Sequence, residues 1–204
     1  MTCLETLKYT GHKTSVGAIY ELPLIPFPMI LKALIDDILR QYSLSPKGIH
    51  GLSHWARVLE NGRNLARKTG ARIEVVELFA VFHDARRLNE GWDRDHGLRG
   101  AELAFQLQET HFRLSGGDFD LLYQACRDHT EGSTAADVTV QTCWDSDRLD
   151  LGRVRIDLNR KYLCTEAARD AAVMDWADRR SRGGFLPELI WEEWALRLER
   201  KKEE

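Results

Sequence analysis

The chain has no Cys-x-x-Cys pair; its four cysteines, Cys3, Cys126, Cys143 and Cys164, are scattered through 204 residues. That spacing argues against a structural zinc site and against a dense disulfide framework, and reads as the reduced thiols of a cytoplasmic protein. Long apolar runs are missing too. No stretch reaches the roughly 18 consecutive apolar residues of a membrane helix, and the N-terminus lacks the succession of basic, apolar and small residues that marks a secretory signal. Net charge is small, −3 with 30% of residues charged. No global field therefore favours specific nucleic-acid binding or an anionic membrane, and any anion site must be local.

What is present is helical periodicity. Residues 1 to 28 read as an irregular arm or extension, since three of the five prolines fall between Pro23 and Pro28 and no period is sustained there. From Met29 to the end the pattern predicts one all-α domain. "MILKALIDDILRQY" sets Ile30, Leu31, Leu34, Ile35, Ile38 and Leu39 on one stripe. "SHWARVLENGRNLARKTG" follows, with Ser53 as the expected N-cap, Trp55, Val58, Leu59 and Leu65 inward, and Gly70 as the stop. "RIEVVELFAVFHDARRL" is apolar almost all round and reads as a buried central helix. "HGLRGAELAFQLQETHF", "FDLLYQACRDH", "TVQTCWDSDRLDL", "TEAARDAAVMDWADRR" and "LPELIWEEWALRLERKKEE" continue the helical pattern, the last fraying into a charged tail.

His83 and Asp84 end the most apolar segment, where a charged group needs a partner or a metal. Candidates recur along the chain: His54 in "HGLSHWARV", His96 in "DRDHGLRGAE", His129 in "CRDHTEG" and Asp147 in "CWDSDRLD". Each lies in or beside an apolar helical segment, so antiparallel helices could bring these side chains to one interior point, as in bundle metal sites. His50, one helical turn before His54 but beside Gly51, reads as a supporting group at best, and His111, like His12 in the arm, as outside the site. Trp55, Trp92 and Trp144 lie near these motifs; they suit the core, or stacking on a base.

Taken together, H…HD…H…H…D on helices, the "HxxRV" at His54 to Val58 and the "DRL" at Asp147 to Leu149 resemble the HD-domain superfamily of metal-dependent phosphohydrolases. The likeness spans about residues 45 to 155 and implies a compact helical bundle. It implies His54, His83, Asp84 and Asp147 as metal ligands. The contexts of His96 and His129 are similar to those of the members that bind two metals, with Asp84 then bridging. Asp145 and Asp150 are left as supporting or surface groups. Imidazole and carboxylate together suit Mn²⁺, Fe²⁺, Co²⁺, Ni²⁺ or Zn²⁺, with one or two ions per chain left open.

The resemblance further implies phosphoester hydrolysis of a nucleotide or another small phosphorylated metabolite, with metal-bound hydroxide as nucleophile at Asp84 and its fellow ligands. Arg87 stands where many members carry a lysine and is the first candidate for assisting phosphate; Arg86 and Arg148 are further candidates for substrate binding, with Arg57 and Arg153 as additional cations. A diiron oxygenase of the same superfamily and a non-catalytic metal-containing sensor are the alternatives. Oligomeric state is open, a homodimer included.

Overall fold

A computed structural model describes the backbone of residues 27–194 and the side chains of residues 31–194. Over the described residues the chain is all-α. In order come α1 (Phe27–Arg40), α2 (Leu52–Thr69), α3 (Ile73–Phe82), α4 (His96–Leu107), α5 (Gly116–Asp128), α6 (Val138–Arg148), α7 (Ala171–Arg182) and the short α8 (Leu189–Glu192), with single 3-10 turns at Leu151–Val154 and Arg160–Tyr162. Strands are absent among the described residues; the closest approach to one is an isolated bridge between Gln108 and Phe112. None of the described helices is long and apolar enough to cross a membrane. The arm expected over 1–28 lies outside the described residues except for its last two positions, Phe27 and Pro28, which open α1. Proline is tolerated there because the first turn of a helix has no use for its missing N–H.

α3 is the axis of the bundle, packed against α2, α4, α5 and α6. Val75, Val76, Leu78, Phe79, Val81 and Phe82 are all at most 1% exposed. At ~1.5–3 kcal/mol for each large apolar side chain, their burial contributes a gross stabilisation on the order of 10 kcal/mol. Burying one carboxylate costs several kcal/mol, comparable with the ~5–15 kcal/mol net stability of a typical domain. The packing of α3 can therefore carry Asp84 at its end, provided that something compensates the charge. Glu77, the one acidic residue on the helix's buried side, is held by Arg63 Nε at 2.6 Å.

Trp55, Trp144 and Trp194 fill the core, and Trp144 Nε1 donates to the carbonyl of Ala125. A smaller cluster of Leu65, Leu149, Leu163, Ala168 and Ala177 seats α7 beside the end of α6. The helix stops and starts differ in part from the expectations. Gly70 closes α2 at φ 73° as its left-handed cap. Ser53, expected to cap α2, lies inside its first turn, and Gly51 holds the cap position without a side-chain bond. The central helix ends at Phe82 instead of running through Arg87; the following residues turn, which is how His83 and Asp84 face a common point. α7 begins only at Ala171, because Asp170 accepts from the N–H groups of Ala172 and Val173 and sets a new start. The helix expected from Leu186 onward is one turn, Leu189–Glu192; residues 195–204 lie outside the description.

Candidate metal centre

Each candidate ligand sits at a helix end. His54 is in the first turn of α2, His83 and Asp84 follow α3, His96 opens α4, His129 follows α5, and Asp147 is in the last turn of α6. Helix ends are where a side chain can leave the wall of a bundle for its interior without breaking a hydrogen-bonded turn. All six come together. His54 Nε2 lies 3.0 Å from His83 Nε2, 3.5 Å from Asp84 Oδ2 and 3.4 Å from Asp147 Oδ1. On the other side of the same carboxylate, Asp84 Oδ1 lies 3.1 Å from His96 Nε2 and 3.9 Å from His129 Nε2, and those two nitrogens are 2.9 Å apart.

The tautomers follow from the outer ring nitrogens. His83 Nδ1 lies 3.1 Å from the carbonyl of Phe79, His129 Nδ1 2.7 Å from that of Cys126, His96 Nδ1 2.5 Å from that of Asp93, and His54 Nδ1 2.7 Å from Asp150 Oδ2. Every one of these partners is an acceptor, so each ring carries its proton on Nδ1 and turns the lone pair of Nε2 inward. Two pairs of lone pairs thus face each other at 3.0 Å and 2.9 Å, contacts that only a cation or an extra proton makes favourable. Burial disfavours the extra proton. It pushes the pKa of His83 down to about 3 and that of His129 in the same direction.

The carboxylates carry the complementary signal. Burial raises Asp84, but the imidazoles of His83, His54 and His96 outweigh it and hold the group well below the usual carboxylate range. Asp147 is likewise raised by burial, yet His83 and Arg153 bring it down to about 2; its Oδ1 is buried with no hydrogen-bond partner. A pair of nitrogen donors 2.0–2.1 Å from one tetrahedral ion would be ~3.3 Å apart. The donor spacings of 3.0 to 3.9 Å around His54, His83, Asp84 and Asp147 fit a divalent ion, as does the chemistry of the set. His54, His83 and Asp84 form one group able to hold an ion, and Asp84, His96 and His129 form a second.

The two groups are not equivalent. Arg87 Nη1 lies 3.1 Å from His96 Nε2 and 3.4 Å from Asp84 Oδ1, so a guanidinium already leans on the second group. The rest of that guanidinium holds the following loop through the carbonyls of Asn89 and Gly91. Arg153 Nη1 stands at 3.9 Å from Asp147 Oδ1, on the first group's side. The other two arginines proposed for substrate have different partners. Arg86 donates to Gln41 Oε1, while Arg148 ties the carbonyls of Tyr162 and Ser133 together and stacks on Trp144. His50 pairs with Glu90 and packs edge-on against the ring of His54, centroids 6.3 Å apart; His111 pairs with Asp37, and His12 lies outside the described residues.

Of the aspartates expected as supporting or surface groups, Asp150 supports the centre, together with Arg57. Asp150 is 1% exposed, accepts from His54 and is gripped by Arg57 through Nε at 2.6 Å and Nη2 at 3.0 Å. Their spacing gives no such pairing: Arg57 lies one turn beyond His54 on α2, whereas Asp150 lies just past the end of α6 and is brought to them by the fold. Asp145, by contrast, turns away from the centre to accept from the N–H groups of Cys164 and Thr165. The tryptophans divide: Trp55 and Trp144 are core, whereas Trp92 is 84% exposed on the loop held by Arg87.

In metal-free protein the centre makes folding acid-sensitive. An unfolded imidazole takes up a proton near pH 6.5, whereas His83 resists down to about 3. The unfolded chain therefore binds more protons across that window, so this contribution is complete above pH 6.5 and is lost as pH falls toward 3. Thermal unfolding of the chelator-treated protein should show a melting temperature that drops steadily below pH 6.5; a flat profile from pH 7 to 4 would contradict the buried neutral histidines. No protein-family model matches this chain, and neither a curated protein nor a solved structure does.

Proposed function

We propose that the chain is a metal-dependent phosphohydrolase of the HD-domain type, acting on a nucleotide or another small phosphorylated metabolite. The observation that carries this reading is the carboxylate of Asp84 set between two inward-facing pairs of imidazole nitrogens, with the guanidinium of Arg87 beside it and that of Arg153 beside Asp147. In this reading His54, His83, Asp84 and Asp147 hold one ion, and Asp84, His96 and His129 hold a second, weaker one, since Arg87 competes for its ligands. A bound divalent ion would supply an activated water near neutral pH and an electrophile for a phosphoryl oxygen.

The chain's own residues would do the rest. Arg87 beside Asp84 and Arg153 beside Asp147 would supply positive charge for the equatorial oxygens of a phosphoryl group, where negative charge gathers during transfer. Those two cations favour an anionic substrate over dioxygen, which has no charge for them to meet. Trp92 offers an exposed aromatic face on the loop that Arg87 fastens, which suits a nucleotide base.

The test is release of inorganic phosphate from p-nitrophenyl phosphate and a panel of nucleoside monophosphates by protein loaded with Mn²⁺. Turnover should proceed equally with and without oxygen and stop with a chelator. Oxygen uptake without phosphate release would replace this reading by the oxygenase, and metal binding with neither activity by the sensor.

A further inference from the structure

Three of the four histidines in the centre take their orientation from their own surroundings in the chain. His83, His96 and His129 direct Nδ1 to main-chain carbonyls three or four residues earlier, at Phe79 and Ala80, at Asp93, and at Cys126. Such acceptors come with the backbone and no side-chain substitution removes them. His54 is different. It is the third residue of α2, and the carbonyl three residues before it, that of Gly51, is already taken by the N–H groups of His54 and Trp55. Its acceptor comes from 96 residues downstream, the carboxylate of Asp150 at 2.7 Å.

Asp150 is itself held at both oxygens. Arg57 Nε donates to Oδ1 and Nη2 to Oδ2, while Arg57 Nη1 reaches the carbonyl of Phe185 between α7 and α8. The guanidinium compensates a carboxylate that is 1% exposed, and its planar fork fixes the carboxylate plane. Arg153 adds a second cation, Nη1 lying 3.8 Å from Asp150 Oδ2. We propose that Asp150, oriented by Arg57, is a positioning residue that sets the ring and tautomer of His54, and so the metal affinity of the His54, His83, Asp84 and Asp147 group but not of the His96 and His129 group. This rests on the metal reading above.

An asparagine at position 150 makes the reasoning testable. Its one carbonyl oxygen cannot serve both the Nδ1–H of His54 and the fork of Arg57, and its NH₂ must oppose one of these donors. Facing His54, the amide favours the other tautomer and puts a proton on Nε2, where the ion would bind. Facing Arg57, it sets donor against donor in a buried place. Outer partners of ligating histidines typically carry ~10–100-fold in metal affinity.

The experiment is equilibrium dialysis of the full, untagged, metal-free chain against Mn²⁺, with bound metal counted by mass spectrometry. Asp150→Asn should weaken the tighter of two sites at least ~10-fold and leave the weaker one unchanged. In a His96→Ala, His129→Ala background, the single remaining site should weaken by the same factor. Glu77→Gln, which breaks the ion pair with Arg63 away from the centre, controls for lost stability and should keep both affinities. Should Asp150→Asn not fold, Arg57→Lys keeps the charge but removes the fork, and should weaken the same site alone.

Unchanged affinities in Asp150→Asn or its Arg57→Lys substitute, with two ions in the wild type, overturn the positioning role and leave the metal reading standing. Equal weakening of both sites, or the same loss in Glu77→Gln, assigns Asp150 a merely structural part and also overturns the role. A wild-type chain that binds no Mn²⁺ overturns both.

Discussion

Asp84→Asn should strip both ions from the chain and lower phosphoester turnover by on the order of 10³-fold or more, ~4 kcal/mol in the barrier. The size of the effect follows from one carboxylate serving two groups. Oδ2 stands 3.5 Å from His54 Nε2 and 3.7 Å from His83 Nε2, and Oδ1 stands 3.1 Å from His96 Nε2. An amide at that position keeps the shape but supplies one neutral oxygen in place of two charged ones. The metal-free protein gives the complementary result. Without a cation, the surrounding histidines already hold the Asp84 carboxylate well below its usual range, so its charge stabilises the fold and its neutralisation should lower the melting temperature of chelated protein. Added metal should raise the melting temperature of the wild type by mass action and leave that of Asp84→Asn where it was. Thermal shift with and without Mn²⁺ measures both halves. A variant that keeps its metal-dependent shift would remove Asp84 from the centre.

Gly100→Ala should destabilise the fold, against the sign that helix propensity alone would give. Alanine in place of glycine inside a helix ordinarily stabilises by roughly 1 kcal/mol. Here a Cβ would lie 2.3 Å from the carbonyl oxygen of Phe82 and 3.3 Å from that of His83, both backbone atoms unable to yield without moving α3 or α4. Overpacking of this kind typically costs ~1–3 kcal/mol, or a few degrees in melting temperature for a chain of this size. The displacement reaches the site as well. His96 lies one turn before Gly100, so pushing α4 off the end of α3 draws its Nε2 away from Asp84 Oδ1. Gly97 makes the same close approach on the α5 side, where a Cβ would meet the carbonyl oxygen of Cys126 at 2.4 Å. Denaturant unfolding together with Mn²⁺ titration tests this: lower stability and a weakened second site are expected, and a stabilised protein with both sites intact would contradict the close packing.

Much of the fold was legible because burial leaves a period. The stripes of α1 and α2, the all-round apolar character of α3 and the stop at Gly70 all follow from side chains that repeat with the helix. The misplaced boundaries have local causes that composition hides. Asp170 competes for backbone N–H groups and starts α7 late, while the run after Leu186 forms a helix of one turn, Leu189–Glu192. In the centre, the histidines and aspartates stood out as polar residues in apolar segments, and all six candidate ligands converge.

Partnership was the harder property to read. Nothing local in the sequence distinguishes Arg57, clamped on Asp150, from Arg86, turned to Gln41, or Arg148, spent on main-chain carbonyls. An arginine's long side chain reaches whatever the fold brings near it, and these partners lie from 14 to 93 positions away. Trp92 shows the converse. Its neighbours Gly91 and Asp93 are held by Arg87 and Arg99, so the loop is fixed by its polar groups and the indole is left in solvent.

The most direct measurement is Mn²⁺ bound per chain at equilibrium, in wild type and Asp84→Asn, on untagged protein stripped with chelator. Two ions of unequal affinity in the wild type and none in the variant are expected from imidazole lone pairs facing one another across a shared carboxylate. A wild-type chain that takes up no metal, or a variant that binds as the wild type does, would contradict the metal centre and with it the proposed hydrolysis.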